Sequence, residues 1–408
     1  VIQEDHVNPD PPSPAALRPH YTGFLERHPG RILLTGHSHQ AWPDVARAAQ
    51  LEAFDDAAEH VDEKWARAFA AGDAVRHAVV RHLGLPDGRA DDVALAGHTH
   101  ELVVRVLSCA DLRARPHLLT TRGEFHTIYR QLSRLAEAGL EVEFVDPTPV
   151  DTLAERLAAR VGPRTAAVLV STVLFESATP VPHLGATCEA ASRHGALVVL
   201  DAYHQAGVRA FDATLAQRPD VFVVGGGYKY LQWGEGNAYL VVPAGGAHRP
   251  AYTGWFADFA HLSARRERAA PVSYGTRGKE RFAGSTYEPT SHYRARAVAA
   301  FFEEVGLTPS ALHASYARQT LRLLRALAPL LDGRGAPLSL VSPAADAERG
   351  GFVAVRVPGA AAVVAALRAR GVWVDARGDV LRLGPAPYLT DDELEAGVAA
   401  LAEVVRGR

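Results

Sequence analysis

Between residues 93 and 242 the chain repeats one pattern: a short apolar run, a segment with helical spacing, then another apolar run. The runs lie at 93–96, 117–121, 142–145, 166–171, 197–201, 221–224 and 238–242. Between the first five of them, 99–112, 127–138, 150–161 and 183–194 place apolar residues three and four apart, as one face of a helix requires. Runs that are apolar throughout, instead of alternating with polar residues, belong to strands covered on both faces, and strand–helix–strand order makes such neighbours parallel. The pattern predicts an α/β fold whose mainly parallel, seven-stranded sheet lies between helices. In an open sheet of this kind ligands sit outside the carboxyl ends of the strands.

The flanking sequence has a different texture. Pro9, Pro11, Pro12, Pro14 and Pro19 predict an irregular N-terminal arm over 1–22. A strand at 31–35 runs into Gly36-His-Ser-His39, and helices are expected from Asp44 and over 74–83, the latter stopped by Gly84 with Pro86 beyond. Residues 244–293 are rich in Gly, Arg, Tyr and Pro and read as loops that contribute to a site or a dimer contact. Helices at 294–306 and 312–331 follow, then a turn at 332–335. The segments 352–357, 360–370, 372–375, 380–383 and 391–406 read as a small α+β domain. The expected division is an arm over 1–22, a large domain over 23–293, and linker helices with a small C-terminal domain over 294–408.

Bulk properties exclude several classes of function. At 408 residues, 48% apolar and 22% charged, the chain has the composition of a globular protein with ample core. A net charge of −3 with no Lys/Arg-rich run offers no field for nucleic acid or anionic membrane. No stretch has the length of a membrane span, and the polar start shows no apolar leader core. Only two cysteines, Cys109 and Cys188, fit a reducing cytoplasm better than a disulfide framework.

Lysine is rare here: of 43 basic residues only Lys64, Lys229 and Lys279 are not arginine. Lys64 lies in a charged helical stretch and Lys279 in a polar loop, both solvated positions by appearance. Lys229 follows the run 221–224 and three glycines, Gly225, Gly226 and Gly227, expected to let the backbone turn and approach a ligand. A lysine retained there points to amine chemistry, because arginine neither loses its proton nor forms a Schiff base. The preceding strand ends in Asp201. A lysine and an aspartate at adjacent strand ends are the pair that pyridoxal phosphate needs, one for its aldehyde and one for its pyridine nitrogen.

Other strand ends can serve the same cofactor. Gly97-His98-Thr99-His100 opens a helix, with Thr99 as N-cap, and its N–H groups suit a phosphate; an ordinary capped helix reads the same way. Phe125, in Gly123-Glu-Phe-His126, can stack on a ring or simply join the core. His204 lies three residues past Asp201, over the same opening. Tyr228 can donate to a phosphate, act as an acid or pack as a core aromatic.

Taken together, Asp201-x-x-His204 and Gly227-Tyr-Lys-Tyr-Leu231 resemble the class V branch of fold-type-I pyridoxal-phosphate enzymes, and within it the kynureninases. Gly254-Trp-Phe256 and Leu381-Arg-Leu-Gly-Pro-Ala-Pro-Tyr388 are similar to two further segments of that family, and the resemblance spans roughly residues 30–405. It implies the fold-type-I transferase fold, pyridoxal 5'-phosphate, an amino-acid substrate and a homodimer with shared sites. By the same resemblance His98, Thr99 and Tyr228 attend the phosphate, Phe125 the ring, and Asp201 the pyridine nitrogen. Trp255 reaches the partner's phosphate, Ser285 or Thr286 belongs to the loop from the second subunit, and Arg382 grips the substrate α-carboxylate. The implied reaction is hydrolytic Cβ–Cγ cleavage of kynurenine or a related aryl-keto amino acid, with Lys229, Asp201, His204 and Tyr228 catalytic. The chain departs from the family pattern at Gly36-His-Ser-His-Gln40, at Phe125-His-Thr-Ile128 and at Gly284-Ser-Thr-Tyr-Glu-Pro289. In the family these positions, Ser38 among them, lie near the aromatic end of the substrate.

Other readings compete. Another class V enzyme (aminotransferase, epimerase or lyase) would use the same cofactor cradle, whereas a cysteine desulfurase would need a thiol on a mobile loop, which neither cysteine supplies. A metal-dependent amidohydrolase would use the His-x-His pairs at 37–39 and 98–100. That architecture needs eight βα repeats, which are not found after residue 242. No metal is expected.

Overall fold

Strands form here where β-branched and large aliphatic residues run together, uninterrupted by proline. The computed structural model describes residues 11–245, 247–261, 271–331 and 335–407, and in it seven strands make the main sheet. Across the sheet the order is Val93–Ala96, Ala238–Val241, Val221–Gly226, Leu197–Asp201, Thr165–Ser171, His117–Thr121 and Glu141–Val145. Six strands share one direction and Ala238–Val241 alone opposes both its neighbours. Side chains alternate between two cores. Val168, Val170, Val198, Leu200 and Val223 pack on one face, while Leu169, Val199, Phe222 and Val224 meet Leu102, Val106 and Leu132 on the other. Each fully buried aliphatic contributes about 1.5–3 kcal/mol, so the central strands hold the molecule together. Their register sets Ser171 beside Asp201 and Asp201 beside Val224, which brings the carboxyl ends level.

A second, four-stranded antiparallel sheet has the order Asp375–Arg377, Val380–Leu383, Val353–Arg356, Ser339–Leu340. The strand expected at 31–35 is short. Only Ile32–Leu33 is extended into a ladder, and it pairs in parallel with Val372–Trp373. Thr35 then bridges to Gly384, and the Gly36 N–H donates to the Gly384 carbonyl at 2.8 Å. A Cβ on Gly36 would collide with the Pro385 carbonyl, so only glycine fits this crossing.

The arm is less irregular than its prolines suggest. Pro14 and Pro19 occupy first-turn positions, where no N–H is needed, in a helix Pro14–Leu17 and a 3-10 turn Arg18–His20. Leu17 and Tyr21 are fully buried, and Arg18 pairs with Glu393 at 2.8 Å. Residues 1–10 lie outside the described residues, as does the expected turn at 332–335 apart from Gly335. The helix expected from residue 294 begins four residues earlier, as Thr290–Glu304, because Glu288 accepts from the Thr290 N–H and Pro289 sits at the cap. Among the described residues of 244–293, two short pieces interrupt the loops, a 3-10 segment Trp255–His261 and a helix Gly278–Arg281. Among the described residues no helix is long and apolar enough to cross a membrane.

A buried carboxyl ties two strand ends together. Glu124 accepts from the Thr121 hydroxyl at 2.6 Å, from the Ser171 hydroxyl at 2.6 Å and from the Ser171 N–H at 3.2 Å. Burial, with Asp201 nearby, pushes its pKa up to about 7. The native state therefore keeps this proton at pH values where the unfolded chain has lost it, and stability falls as pH rises from about 4.5 towards 7. Glu124→Gln is expected to flatten that window. Chemical denaturation at pH 5 and pH 8 should show the native protein losing about 2–3 kcal/mol more than the variant over this range.

Candidate active site

Loops leaving five strand ends surround a cavity of about 310 Å³. His98 and Thr99 come from the first of these strands and Phe125 from the second, while Asp201 and His204 follow Leu197–Asp201. Tyr228 and Lys229 come from beyond Val221–Gly226. Seven of the residues singled out in the sequence thus share one opening. Tyr203, Phe175, Ser171 and Glu235 line it too and were not singled out. Tyr203 sits inside the Asp201-to-His204 motif, and Phe175 follows a strand end, so the same strand-end rule reaches both.

Lys229 is 4% exposed, and its Nζ lies 2.7 Å from His204 Nε2. Three rings surround the amine, with centroids at 4.6 Å (Tyr203), 5.2 Å (Phe125) and 5.7 Å (Tyr228). Burial is the main cause that lowers the lysine pKa below its ordinary value, with Arg382 adding to it and Asp201 opposing. Burial also lowers that of His204, next to the lysine charge. The imidazole is therefore neutral: with Nε2 accepting from the amine, its Nδ1 faces the Tyr230 hydroxyl at 3.4 Å. A neutral amine is the form that attacks an aldehyde.

The three glycines before Lys229 have a different purpose from the one the sequence suggests. Gly225 and Gly226 lie within the strand, and none of the three takes a left-handed conformation. A Cβ on them would run into Tyr239, Tyr203 and Trp233 respectively. They are small so that aromatic rings can pack against this backbone. The left-handed turn comes later, at Gln232 (φ 58°) and Gly234 (φ 69°).

Asp201 is buried, with Oδ1 accepting from the Tyr203 N–H at 2.9 Å. Burial raises its pKa, while that hydrogen bond and Lys229 oppose the rise. At the helix start, His98 and not Thr99 is the cap residue. It has extended backbone (φ −158°, ψ 156°) and makes no side-chain cap bond, and Thr99 is the first residue of Thr99–Leu107. The cap side chain thus takes none of the first-turn N–H groups, and Gly97, His98 and Thr99 line the cavity.

A second cavity of about 760 Å³ adjoins the first through Gly97, Glu235 and Gly236, and Ser285 and Thr286 line it. Trp255 is 44% exposed, packed at a tilt against Phe256 and Phe259 with ring centroids at 4.4 and 5.4 Å, and lines neither cavity. Ser38 lies off both, its hydroxyl donating to the Thr35 carbonyl. Arg382 is 2% exposed and also lies behind the wall, paired with Asp375.

The His-x-His pairs do not assemble. His37 is buried against Asp375, whereas His39 is 72% exposed and 3.6 Å from Glu235. Among the described residues no group of three or more His, Cys, Asp or Glu side chains could hold a metal ion. The main sheet is open with two edges, so the eight-fold barrel of an amidohydrolase is not this fold. Both thiols lie away from the cavity, and burial pushes them up to about 12 (Cys109) and about 11 (Cys188).

The residues around the smaller cavity fit pyridoxal phosphate. An amine and a carboxylate at neighbouring strand ends, an aromatic face at Phe125 and an uncapped helix start offer one partner for each part of that molecule.

Comparison with known proteins agrees with this geometry. The family model described as Kynureninase C-terminal domain matches residues 317–401. Kynureninase of Deinococcus radiodurans is 31% identical over 391 residues, covering 92% of this chain and 91% of that protein. Kynureninase of Pseudomonas fluorescens is 27% identical over 346 residues, 79% of this chain and 76% of its own length. Among solved structures, a lysine-to-alanine variant of C-DES with glycine covalently linked to its PLP cofactor superposes with a TM-score of 0.80. It is 18% identical and covers 95% of this chain and 99% of its own. The cysteine desulfurase CsdA of Escherichia coli gives 0.77 at 17% identity, with 97% and 98% covered. These structures share the fold of fold-type-I pyridoxal-phosphate enzymes, and the identity to the Deinococcus protein over nine-tenths of both lengths places the chain itself in the kynureninase family.

Proposed function

We propose that this chain is a pyridoxal-phosphate-dependent kynureninase, hydrolysing the Cβ–Cγ bond of kynurenine or a related aryl-keto amino acid to alanine and an anthranilate-type acid. The observation that carries the reading is that Lys229, Asp201 and Phe125 line one cavity in a member of this family. The cofactor, when bound, supplies a ring that accepts the electron pair of a bond broken next to the substrate amine. His98, Thr99 and Tyr228 hold its phosphate, Phe125 covers one face, and Asp201 keeps the pyridine nitrogen protonated. Burial raises the Tyr228 pKa to about 12, so this hydroxyl donates and stays neutral.

The amine of Lys229, once free of the cofactor, takes the proton from the substrate α-carbon, and the lysine's low pKa suits it to act as that base. His204, at 2.7 Å from Lys229 Nζ, passes protons to and from the amine, and Tyr228 is the second donor at the cavity. Water adds to the γ-carbonyl. Arg382, which bonds to the carbonyl of the cavity-lining Phe175, grips the α-carboxylate. Two free thiols, Cys188 buried and Cys109 half-buried, suit work in a reducing cytoplasm.

The protein works as a homodimer in this reading. Trp255 and Phe259 (50% exposed) present apolar surface beside the larger cavity, whose lining includes Ser285 and Thr286. Trp255 and that loop complete the partner's site.

Three measurements test these statements. The purified protein should be yellow, and Lys229→Ala should lose the visible absorbance of the lysine-bound cofactor and at least about a thousandfold in kcat. Anthranilate release from kynurenine, assayed beside transamination with a panel of keto acids, should give only the former; transamination alone would assign the chain to another class V activity. Sedimentation should show a dimer, and Trp255→Ala should weaken cofactor retention about tenfold; a fully active monomer would refute the shared site.

A further inference from the structure

Arg382 cannot be judged apart from what holds it. Its Nε donates to Asp375 Oδ1 at 2.8 Å and its Nη2 to Asp375 Oδ2 at 2.6 Å, a bidentate pair along one edge of the guanidinium. Its Nη1 donates to the Phe175 carbonyl at 2.8 Å. Phe175 lines the smaller cavity, so the guanidinium is tied to the back of that wall. Asp375 Oδ1 is also 2.8 Å from Nε2 of His37, a fully buried ring. Arg382, His37 and His204 all lie against the Phe352 ring, at 5.6, 4.8 and 5.8 Å, which connects this cluster to the partner of Lys229.

Of the five N–H groups of an arginine, three are engaged here. One remains on each terminal nitrogen, and two donors are what a second carboxylate takes. The pairing has an electrostatic side as well. Arg382 depresses the pKa values of Lys229 and His204, and Asp375 opposes it at both. An arginine this deeply buried and left without its counter-charge would be strongly unfavourable.

We propose that Asp375, anchored by His37, is a positioning residue: it holds one edge of Arg382 so that the two remaining N–H groups meet the α-carboxylate of the substrate. This rests on the reading of Arg382 as the carboxylate grip, and the test separates the two statements. Asp375 does not compete with the substrate for the arginine. It occupies the Nε edge and leaves a donor on each terminal nitrogen.

The test titrates the holoenzyme with L-alanine and, separately, with isopropylamine, an amine of similar size without a carboxylate. Both are read from the change in cofactor absorbance. Asp375→Asn also removes a charge that acts on Lys229, which both amines displace, so it is expected to weaken alanine binding by about tenfold relative to isopropylamine binding. In turnover it should raise KM about tenfold with kcat within about threefold of the native value. Asp375→Glu keeps the charge but shifts the arginine by a methylene. It should show the same selective loss at a smaller size, and it serves alone if Asp375→Asn does not fold. Alanine binding unchanged or tighter relative to isopropylamine binding in the variant tested would overturn the positioning role. Arg382→Gln is measured in parallel. If it leaves alanine binding unchanged, the grip reading fails and this inference with it. If it loses alanine selectively while the Asp375 variants do not, only the positioning role fails.

Discussion

A lysine amine shut away from water is costly to keep charged, and this site is built around the cheaper, neutral form. Lys229 meets a neutral imidazole at 2.7 Å and three aromatic rings, and among the described residues no carboxylate bonds to it directly. The anion that raises its pKa most, Asp201, has its own pKa raised by the same burial. Two groups of opposite sign are thus pushed towards neutrality together. A cofactor carrying both an aldehyde and a basic ring nitrogen supplies each of them with a partner.

Holding that amine in place falls to backbone contacts far from it in sequence. Gln40 donates from Nε2 to the Lys229 carbonyl at 3.1 Å and to the Gly36 carbonyl at 2.8 Å. Its oxygen accepts from Gln232, whose own oxygen accepts from the Tyr21 hydroxyl at 2.6 Å. The segment that begins with the folded arm therefore clamps the loop that carries the lysine. This explains why Tyr21 is wholly buried and why Gln232 sustains a left-handed backbone: its side chain is held on both sides.

Much of this was legible before the fold was known. The seven apolar runs mark the seven strands of the main sheet to within a residue or two, because strands covered on both faces carry a signal that needs no tertiary context. The strand-end residues followed, since a parallel sheet sends every carboxyl end to one side. What could not be read depended on distant partners. Nothing local distinguishes Asp375 from a surface carboxylate, yet it pairs with Arg382 and His37 across two strands and an N-terminal loop. The pairing of Ile32–Leu33 with Val372–Trp373 joins residues 340 apart, beyond the reach of periodicity. The glycines of 225–227 read as turn residues because sequence does not show the rings packed against them. Proline in the arm reads as a helix breaker, although at a first turn it is compatible with a helix.

The charges around the cavity have a spatial logic that follows from the same burial. On one side Arg382, Asp375 and His37 form a closed cluster behind Phe175, and on the other Glu124 bonds to Ser171, the strand end beside Asp201. Burial favours a protonated Glu124, and Arg382 is matched by Asp375 at bidentate distance. An amino acid entering between them would bring one negative and one positive group of its own. With Arg382 as the grip proposed above, the negative group would find donors left over on an arginine whose charge is already compensated, which gives direction without strong net attraction. Orientation set by leftover hydrogen bonds, more than by raw charge, lets a product amino acid with the same carboxylate leave again. That is a requirement on any enzyme whose product keeps the group by which its substrate was held.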